Sequence, residues 1–256
     1  MTDPGPVSVC MATFNGERHV RQQVESILAE LAPDDELVIV DDASTDSTLQ
    51  VVRGLGDPRI RVLENPTNLG YAATFERALT AAVGRDLFLA DQDDVWPAGR
   101  VAVMRAALRS GSVVAGNVAV LDGPDRLRGP FGNPDWRLRA ADSDRRLGNL
   151  LRLAASNMPY YGSAMAVRRD ALDLALPFPP SAKELHDAWL ALIGIATGSL
   201  VHVEQRVVLR RVHEANVTGR VRSPGKVLRG RLLFLRMVLE AWRRARSRGV
   251  SRPDRA

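Results

Sequence analysis

Asp86-Leu87-Phe88-Leu89-Ala90-Asp91-Gln92-Asp93-Asp94-Val95-Trp96-Pro97 is the stretch on which the reading of this 256-residue chain turns. Its first half is a short apolar run of the kind that forms a buried strand. Pro97 ends any strand, because it has no N–H for a ladder and its ring fixes φ. Asp91, Asp93 and Asp94 are therefore expected at the C-terminal mouth of one strand. Three carboxylates crowded together repel one another, which costs stability. A hard divalent cation removes that cost: Mg²⁺ or Mn²⁺ takes a few carboxylates and shares the rest of its shell with phosphate oxygens. The plain alternative is a solvated acidic turn, since Asp-x-Asp is a common tripeptide.

The flanking sequence repeats a pattern. Val7–Ala12 reads as a buried strand and Thr13–Gly16 as a polar turn. Val20, Val24, Ile27, Leu28 and Leu31 then recur at helical spacing, so a helix is expected over 17–31. Glu36–Val40 is a second strand. It ends in Asp41-Asp42-Ala43-Ser44-Thr45-Asp46, where Ser44 or Thr45 can cap the next helix. Arg59–Leu63 is a third strand, followed by the loop Asn65–Gly70 and a helix burying Phe75, Ala78, Leu79 and Ala82. Beyond the acidic stretch come a helix from Ala98 to Arg109 and a strand Val113–Val118. Such alternation predicts a mostly parallel sheet with helices on both faces. Ligands of such sheets lie beyond the carboxyl ends of the strands. Three of those ends carry polar sets: Thr13/Asn15, Asp41/Asp42 and Asp91/Asp93/Asp94. The coincidence favours a site over a solvated turn.

The second half is less regular. Residues 122–146 read as a long surface loop, Leu147–Ala155 as a helix and Tyr160–Val167 as a strand. Pro177-Phe178-Pro179-Pro180 is a break. A helix over 184–197 carries Leu185, Trp189, Leu192 and Ile193, and Val201–Val203 and Val207–Leu209 read as two short strands. No run of apolar residues is long enough for a transmembrane helix, the N-terminus has no signal-peptide pattern, and the single cysteine, Cys10, allows no intrachain disulfide. These features favour the cytoplasm. From Arg206 onward the chain has 15 Lys+Arg against 3 Asp+Glu, whereas residues 1–205 have 20 against 27. A basic tail on an acidic body points to an anionic surface as partner.

Taken together these stretches resemble a family-2 glycosyltransferase of the GT-A fold, in a branch similar to bacterial rhamnosyltransferases. The resemblance is carried by Met11–Glu17, Val40–Asp46, Glu64–Gly70 and Asp91–Trp96. In the second half it is carried by Gly162–Met165, His186–Leu192 and Arg210–Asn216. It implies a GT-A domain over 1–220, with a nucleotide-sugar half (1–118) and an acceptor half (119–220), followed by a basic amphipathic helix and tail (221–256). It implies inverting, metal-dependent transfer of a sugar, rhamnose from dTDP-rhamnose, to a glycan or lipid-linked glycan acceptor of the bacterial cell surface. A UDP-hexose donor on the same fold is the alternative. Asp93 is the implied ligand of Mg²⁺ or Mn²⁺, with Asp91 supporting it and His213 a further candidate. Ala12, Thr13, Asn15, Glu17, Asp41, Asp42, Asn68, Gly70 and Gln92 belong to the donor pocket, where Asp42 is implied to accept the base N3–H. Arg211 and His213 are implied to close over the diphosphate, with a plain surface-loop role as the alternative, and Asp187 to act as base on the acceptor hydroxyl.

Other residues carry open readings. His186 orients Asp187, touches phosphate, caps the helix, or faces solvent. Asp94 is a ligand or a turn cap. Trp96 and Trp189 are simplest as packing residues, and His19 and His202 as structural ones. Ala43 stands where the family has Gly, which a turn tolerates if φ stays negative. A helix from Pro224 to Arg246 presents Leu228, Leu232, Leu235, Leu239 and Trp242 as one stripe. That stripe packs on the domain, pairs with a second copy, or lies at the inner face of the plasma membrane. A non-catalytic nucleic-acid binder is the rival of another class. It is disfavoured by the acidic body and the few aromatics in the tail.

Overall fold

A computed structural model describes residues 5–124, 127, 129, 133, 135–183, 185–211 and 224–247, apart from the side chains of 224–228. Strands β1 (Val7–Thr13), β2 (Glu36–Asp41), β3 (Ile60–Glu64), β4 (Asp86–Asp91), β5 (Val113–Val120), β6 (Met165–Arg168) and β7 (Leu200–Arg210) form one sheet. Their order is β3-β2-β1-β4-β6-β5-β7. Only β6 runs against its neighbours; the others are parallel, as the alternation predicts. The sheet is continuous across the expected boundary near residue 118.

Side-chain alternation sends successive strand residues to opposite faces. On one face Cys10, Val38, Val40, Leu87 and Leu89 pack under Phe75, Ala78 and Leu79 of α3 (Tyr71–Ala81) and under α7 (His186–Thr197). On the other, Val9, Met11, Leu37, Ile39 and Phe88 meet Val20, Val24 and Ile27 of α1 (Val20–Leu28). Val101, Met104 and Leu108 of α4 (Arg100–Leu108) join them there. Ten of the twelve residues of α7 are buried, because the helix lies between the sheet and α8 (Pro224–Ser247). Trp189 is a core residue, its indole N–H donating to Ala175 O at 3.0 Å.

Several boundaries differ from expectation. The first helix starts at Val20, not 17, because the amides of His19 and Val20 both turn back onto Gly16 O. Neither Ser44 nor Thr45 caps α2 (Thr48–Arg53): the Asp46 carboxylate takes the Thr48 N–H at 2.9 Å, and Ser44 Oγ is drawn to Asp41. Residues 162–164 form a 3₁₀ turn rather than strand, so that Ser163 O can receive the Arg100 guanidinium. A short helix, α6 (Arg169–Ala175), fills the stretch before Pro177. The two short C-terminal strands are one, β7, interrupted by a bulge at Glu204-Gln205 where the register against β5 jumps. Asn117 Nδ2 fills the bulge by donating to Val203 O and Glu204 O. The bulge is why a polar gap separates two apolar runs in the sequence.

The tail helix packs through a different face from the one its leucines suggest. Met237 and Ala241 are fully buried, with Phe234, Val238, Trp242 and Ala245 beside them. Arg244 pins this face by donating to Leu174 O and Ala175 O. Leu232, Leu235 and Leu239 point away and stay 54–64% exposed. Trp242 therefore does not belong with them.

Candidate active site

Parallel pairing brings the strand ends level: Thr13 faces Asp41 across β1–β2, and Ala12 faces Asp91 across β1–β4. Because β6 runs the other way, its N-terminal approach, Tyr161 to Ala164, arrives at the same rim. Arg210 and Arg211 arrive there at the end of β7. Topology thus gathers residues from five separate stretches.

The centre is acidic. Carboxylate oxygens of Asp91, Asp93 and Asp94 lie within 4.8 Å of one another. Burial first, and then the neighbouring carboxylates, push Asp91 well above the ordinary carboxylate range. The same two causes push Asp94 up to about 6. A hydrogen bond from Ser163 and the charge of Arg210 pull both back only in part. Asp94 is 2% exposed; its Oδ1 receives the Arg211 N–H at 3.3 Å, while Oδ2 is buried without a partner. An orphaned buried carboxylate oxygen beside two further carboxylates suits a hard dication. The donor set therefore fits Mg²⁺ or Mn²⁺, which Asp91, Asp93 and Asp94 could hold together.

Three side chains that the sequence reading assigned no role support this cluster. Arg100 is 1% exposed, stacks on Trp96 at 3.8 Å, and donates to Leu89 O, Ser163 O and Val207 O. Burial pulls its guanidinium down to about 9, against the opposing pull of Asp94 and Asp91. Gln23, on the apolar face of α1, donates to Asp91 O at 2.7 Å. Arg210 lies over the Tyr161 ring at 5.0 Å. Gln23 had a detectable signal, a polar residue on a buried helical stripe. Arg100 had none, since its partners come from distant parts of the chain, and Arg210 was marked only as the head of the Arg210–Asn216 stretch.

The donor-pocket residues divide into two groups. Asp41 is fully buried and accepts Thr13 Oγ1, Ser44 N–H and Ser44 Oγ. Asp42 accepts Asn65 Nδ2, Leu69 N–H and Gly70 N–H at 2.7–2.9 Å. Burial works to raise Asp42, but those bonds outweigh it and hold the carboxyl below its usual range. Both aspartates thus organise the rim, and Gly70, at φ 85, is shaped by the Asp42 bond. Asn15 Oδ1 accepts the Thr45 N–H and Glu17 Oε2 accepts the Ser47 N–H, zipping the first two loops together. Gln92 exchanges a pair of hydrogen bonds with the Phe14 backbone. Ala12 is half-buried and Asn68 is exposed. Ala43 has φ 62, so the turn after Asp42 does need positive φ, contrary to expectation. The Ser44 N–H and Oγ must both reach Asp41, which bends the chain there.

Asp187 sits half-buried in the first turn of α7, with Oδ1 accepting the Ala188 N–H at 2.7 Å. Tyr161 connects it to Arg210. Burial raises its hydroxyl to about 12, Arg210 lowers it by charge and a hydrogen bond, and the Asp187 charge raises it. His186 neither caps nor orients Asp187. It is buried against Phe75 at 4.9 Å, neither ring nitrogen has a partner, and burial lowers its pKa. Arg211 meets the acidic loop, donating to Asp93 O and to Gln22. His213 lies outside the described residues. His202 is structural, bonded to the Tyr160 hydroxyl and Arg139 O.

Comparison with known proteins identifies the family and the fold. The family described as Glycosyl transferase family 2 matches residues 8–174. An uncharacterised glycosyltransferase of Nostoc is 25% identical over 82% of this chain and 66% of its own length. The putative glycosyltransferase EpsE of Bacillus subtilis is 38% identical over 36% of this chain and 34% of its own. The Escherichia coli UDP-Glc:alpha-D-GlcNAc-diphosphoundecaprenol beta-1,3-glucosyltransferase WfgD is 34% identical over 37% of this chain and 38% of its own. The chain thus spans from about a third to two thirds of these relatives. Among solved structures, Staphylococcus aureus TarS in complex with UDP superimposes with TM-score 0.65 at 20% identity, over 91% of this chain and 65% of that one. Mycobacterium tuberculosis glucosyl-3-phosphoglycerate synthase with Mn²⁺ and UDP gives 0.60 at 18%, over 93% and 80%. These two likenesses establish the fold.

Proposed function

The chain belongs to glycosyl transferase family 2, and from that premise we propose that it moves a sugar from a nucleoside diphosphate to an acceptor hydroxyl, with inversion. The observation that carries this is that Arg210 acts on both the Asp91/Asp93/Asp94 cluster and Tyr161, while Tyr161 also lies under the charge of Asp187. Asp91, Asp93 and Asp94 would hold a Mg²⁺ or Mn²⁺, which would supply Lewis acidity toward the diphosphate. Arg210 and Arg211 add fixed positive charge on that side. Asp187, whose negative charge suits a helix N-terminus, takes the proton of the acceptor hydroxyl as it attacks the anomeric carbon from the face opposite the leaving group. Gln92 and the Asn15–Thr45 and Glu17–Ser47 bonds hold the nucleoside side rigid.

For the donor, the His186–Leu192 and Arg210–Asn216 stretches favour dTDP-rhamnose. A UDP-hexose is the second reading, favoured by the UDP in TarS and by the UDP-Glc in the WfgD name. The acceptor is a glycan or lipid-linked glycan of the bacterial surface, reached from the cytoplasmic side. A thermal-shift panel of UDP, dTDP and their sugars, with and without Mn²⁺ or Mg²⁺, tests the donor, since a ligand of the native state raises Tm. Metal-dependent stabilisation by dTDP-rhamnose above UDP sugars supports rhamnose; the reverse order selects the second reading; no response to any of them refutes the proposal. Asp187→Asn should leave that shift intact and abolish transfer; full turnover by this variant removes Asp187 as base.

A further inference from the structure

We propose that the outward face of α8 docks the protein on an anionic lipid surface. The helix has two faces with separate work. One is spent inside the molecule, where Met237 and Ala241 are buried and Arg244 is tied to Leu174 O and Ala175 O. The other carries Leu232, Leu235 and Leu239 at spacings of three and four, each more than half exposed. Three leucines on one helical stripe make a continuous apolar strip that no described residue covers.

What flanks that strip selects its partner. Arg229, Arg231, Arg236, Arg243 and Arg246 are all exposed. The one acid of the described helix, Glu240, is already held by Arg243 and Arg244, which push its carboxyl down to about 2. A second copy of α8 laid on this face would set arginines against arginines with no carboxylate to answer them. An anionic bilayer answers all of them at once: the leucines enter the acyl boundary while the guanidinium groups stay among the headgroup phosphates. The rest of the chain favours this orientation. Residues 1–205 carry 20 basic against 27 acidic residues, so an anionic surface repels the body and attracts the tail. This inference requires neither a particular donor nor a particular acceptor.

The test is flotation of the full-length chain with phosphatidylcholine vesicles containing 30% phosphatidylglycerol, against vesicles of phosphatidylcholine alone. Binding is expected to the anionic vesicles and to weaken with salt. Leu232→Ser/Leu235→Ser/Leu239→Ser should lower partitioning on the order of 100-fold, about fivefold for each half-exposed leucine removed. Arg231→Gln/Arg236→Gln should lower it about 25-fold, at about fivefold for each arginine near the surface. Because all five residues are exposed, both variants should keep the wild-type Tm and the same nucleotide-induced thermal shift. That shift also separates a failure here from a failure of the transferase reading. Three outcomes overturn the proposal: equal binding to neutral vesicles; anionic binding unaffected by the serine variant, which would mean simple attraction to the arginines; or, in light scattering, a dimer that the serine variant turns into monomer, with no vesicle binding.

Discussion

Replacing Asp94 by asparagine should stabilise the metal-free protein at alkaline pH and weaken its response to a divalent cation. The side chain is 2% exposed, and one of its oxygens has no partner. Burial and the Asp93 charge push its pKa to about 6, roughly two above the ordinary value near 4, and each pH unit corresponds to about 1.4 kcal/mol. Ionised Asp94 therefore costs the fold about 3 kcal/mol. The amide keeps an oxygen for the Arg211 N–H but must place a new NH₂ group, for which Asp91 and Asp93 are acceptors. A net gain of about 2 kcal/mol is expected, which for 256 residues is about 4 °C in Tm. The sign follows from linkage: an acid whose folded pKa is raised binds its proton more tightly in the folded state. Its cost is then fully present above pH 6 and gone below about pH 4. The assay is thermal melting in EDTA at pH 8 and at pH 4, repeated at pH 8 with millimolar Mn²⁺. Wild type should melt lower than Asp94→Asn at pH 8 in EDTA, match it at pH 4, and gain more from Mn²⁺. A variant that melts at or below wild type at pH 8 in EDTA, or that gains as much from Mn²⁺, would refute the reasoning.

Two further substitutions probe the frame of the site. Ala43→Gly relieves a φ of 62 and should raise stability by about 0.5–1 kcal/mol, net of the greater freedom of unfolded glycine; the urea midpoint reads it, and a lower midpoint contradicts the strain. Arg100→Met preserves the stem but leaves Leu89 O, Ser163 O and Val207 O without their donor, at about 1 kcal/mol each. A fall of about 6 °C in Tm is expected, with Arg100→Lys between, and a change under 2 °C would show that the guanidinium is dispensable.

The parallel sheet was legible because buried strands write themselves as continuous apolar runs, and Val7–Ala12, Glu36–Val40 and Asp86–Ala90 are such runs. The acidic cluster was legible for the same reason: adjacent residues at a strand end stay adjacent when folded. Legibility failed wherever a side chain's partner lies far along the chain. Nothing near Asp42 in the sequence shows that its carboxylate is held by Asn65, Leu69 and Gly70, more than twenty residues on. His186 reads as a polar neighbour of Asp187, but Phe75 takes its ring. The α8 stripe shows the limit most plainly. Periodicity put Trp242 with the leucines, whereas the surface of α7 and α6 chose Met237, Ala241 and Trp242 as the inner face.

By itself, then, the sequence determined most strands and helices of the first half, which strand ends carry polar residues, and where negative charge concentrates. Each of these is written in nearest-neighbour pattern and short-period spacing. The tertiary structure alone decided that β6 enters reversed and brings Tyr161 and Ser163 to the acids. It alone decided that Arg100 is buried beneath them, that Ala43 turns through positive φ, and that the leucines of α8 face outward. Those outcomes depend on which surfaces meet, and complementary packing between distant segments leaves no periodic trace in the chain.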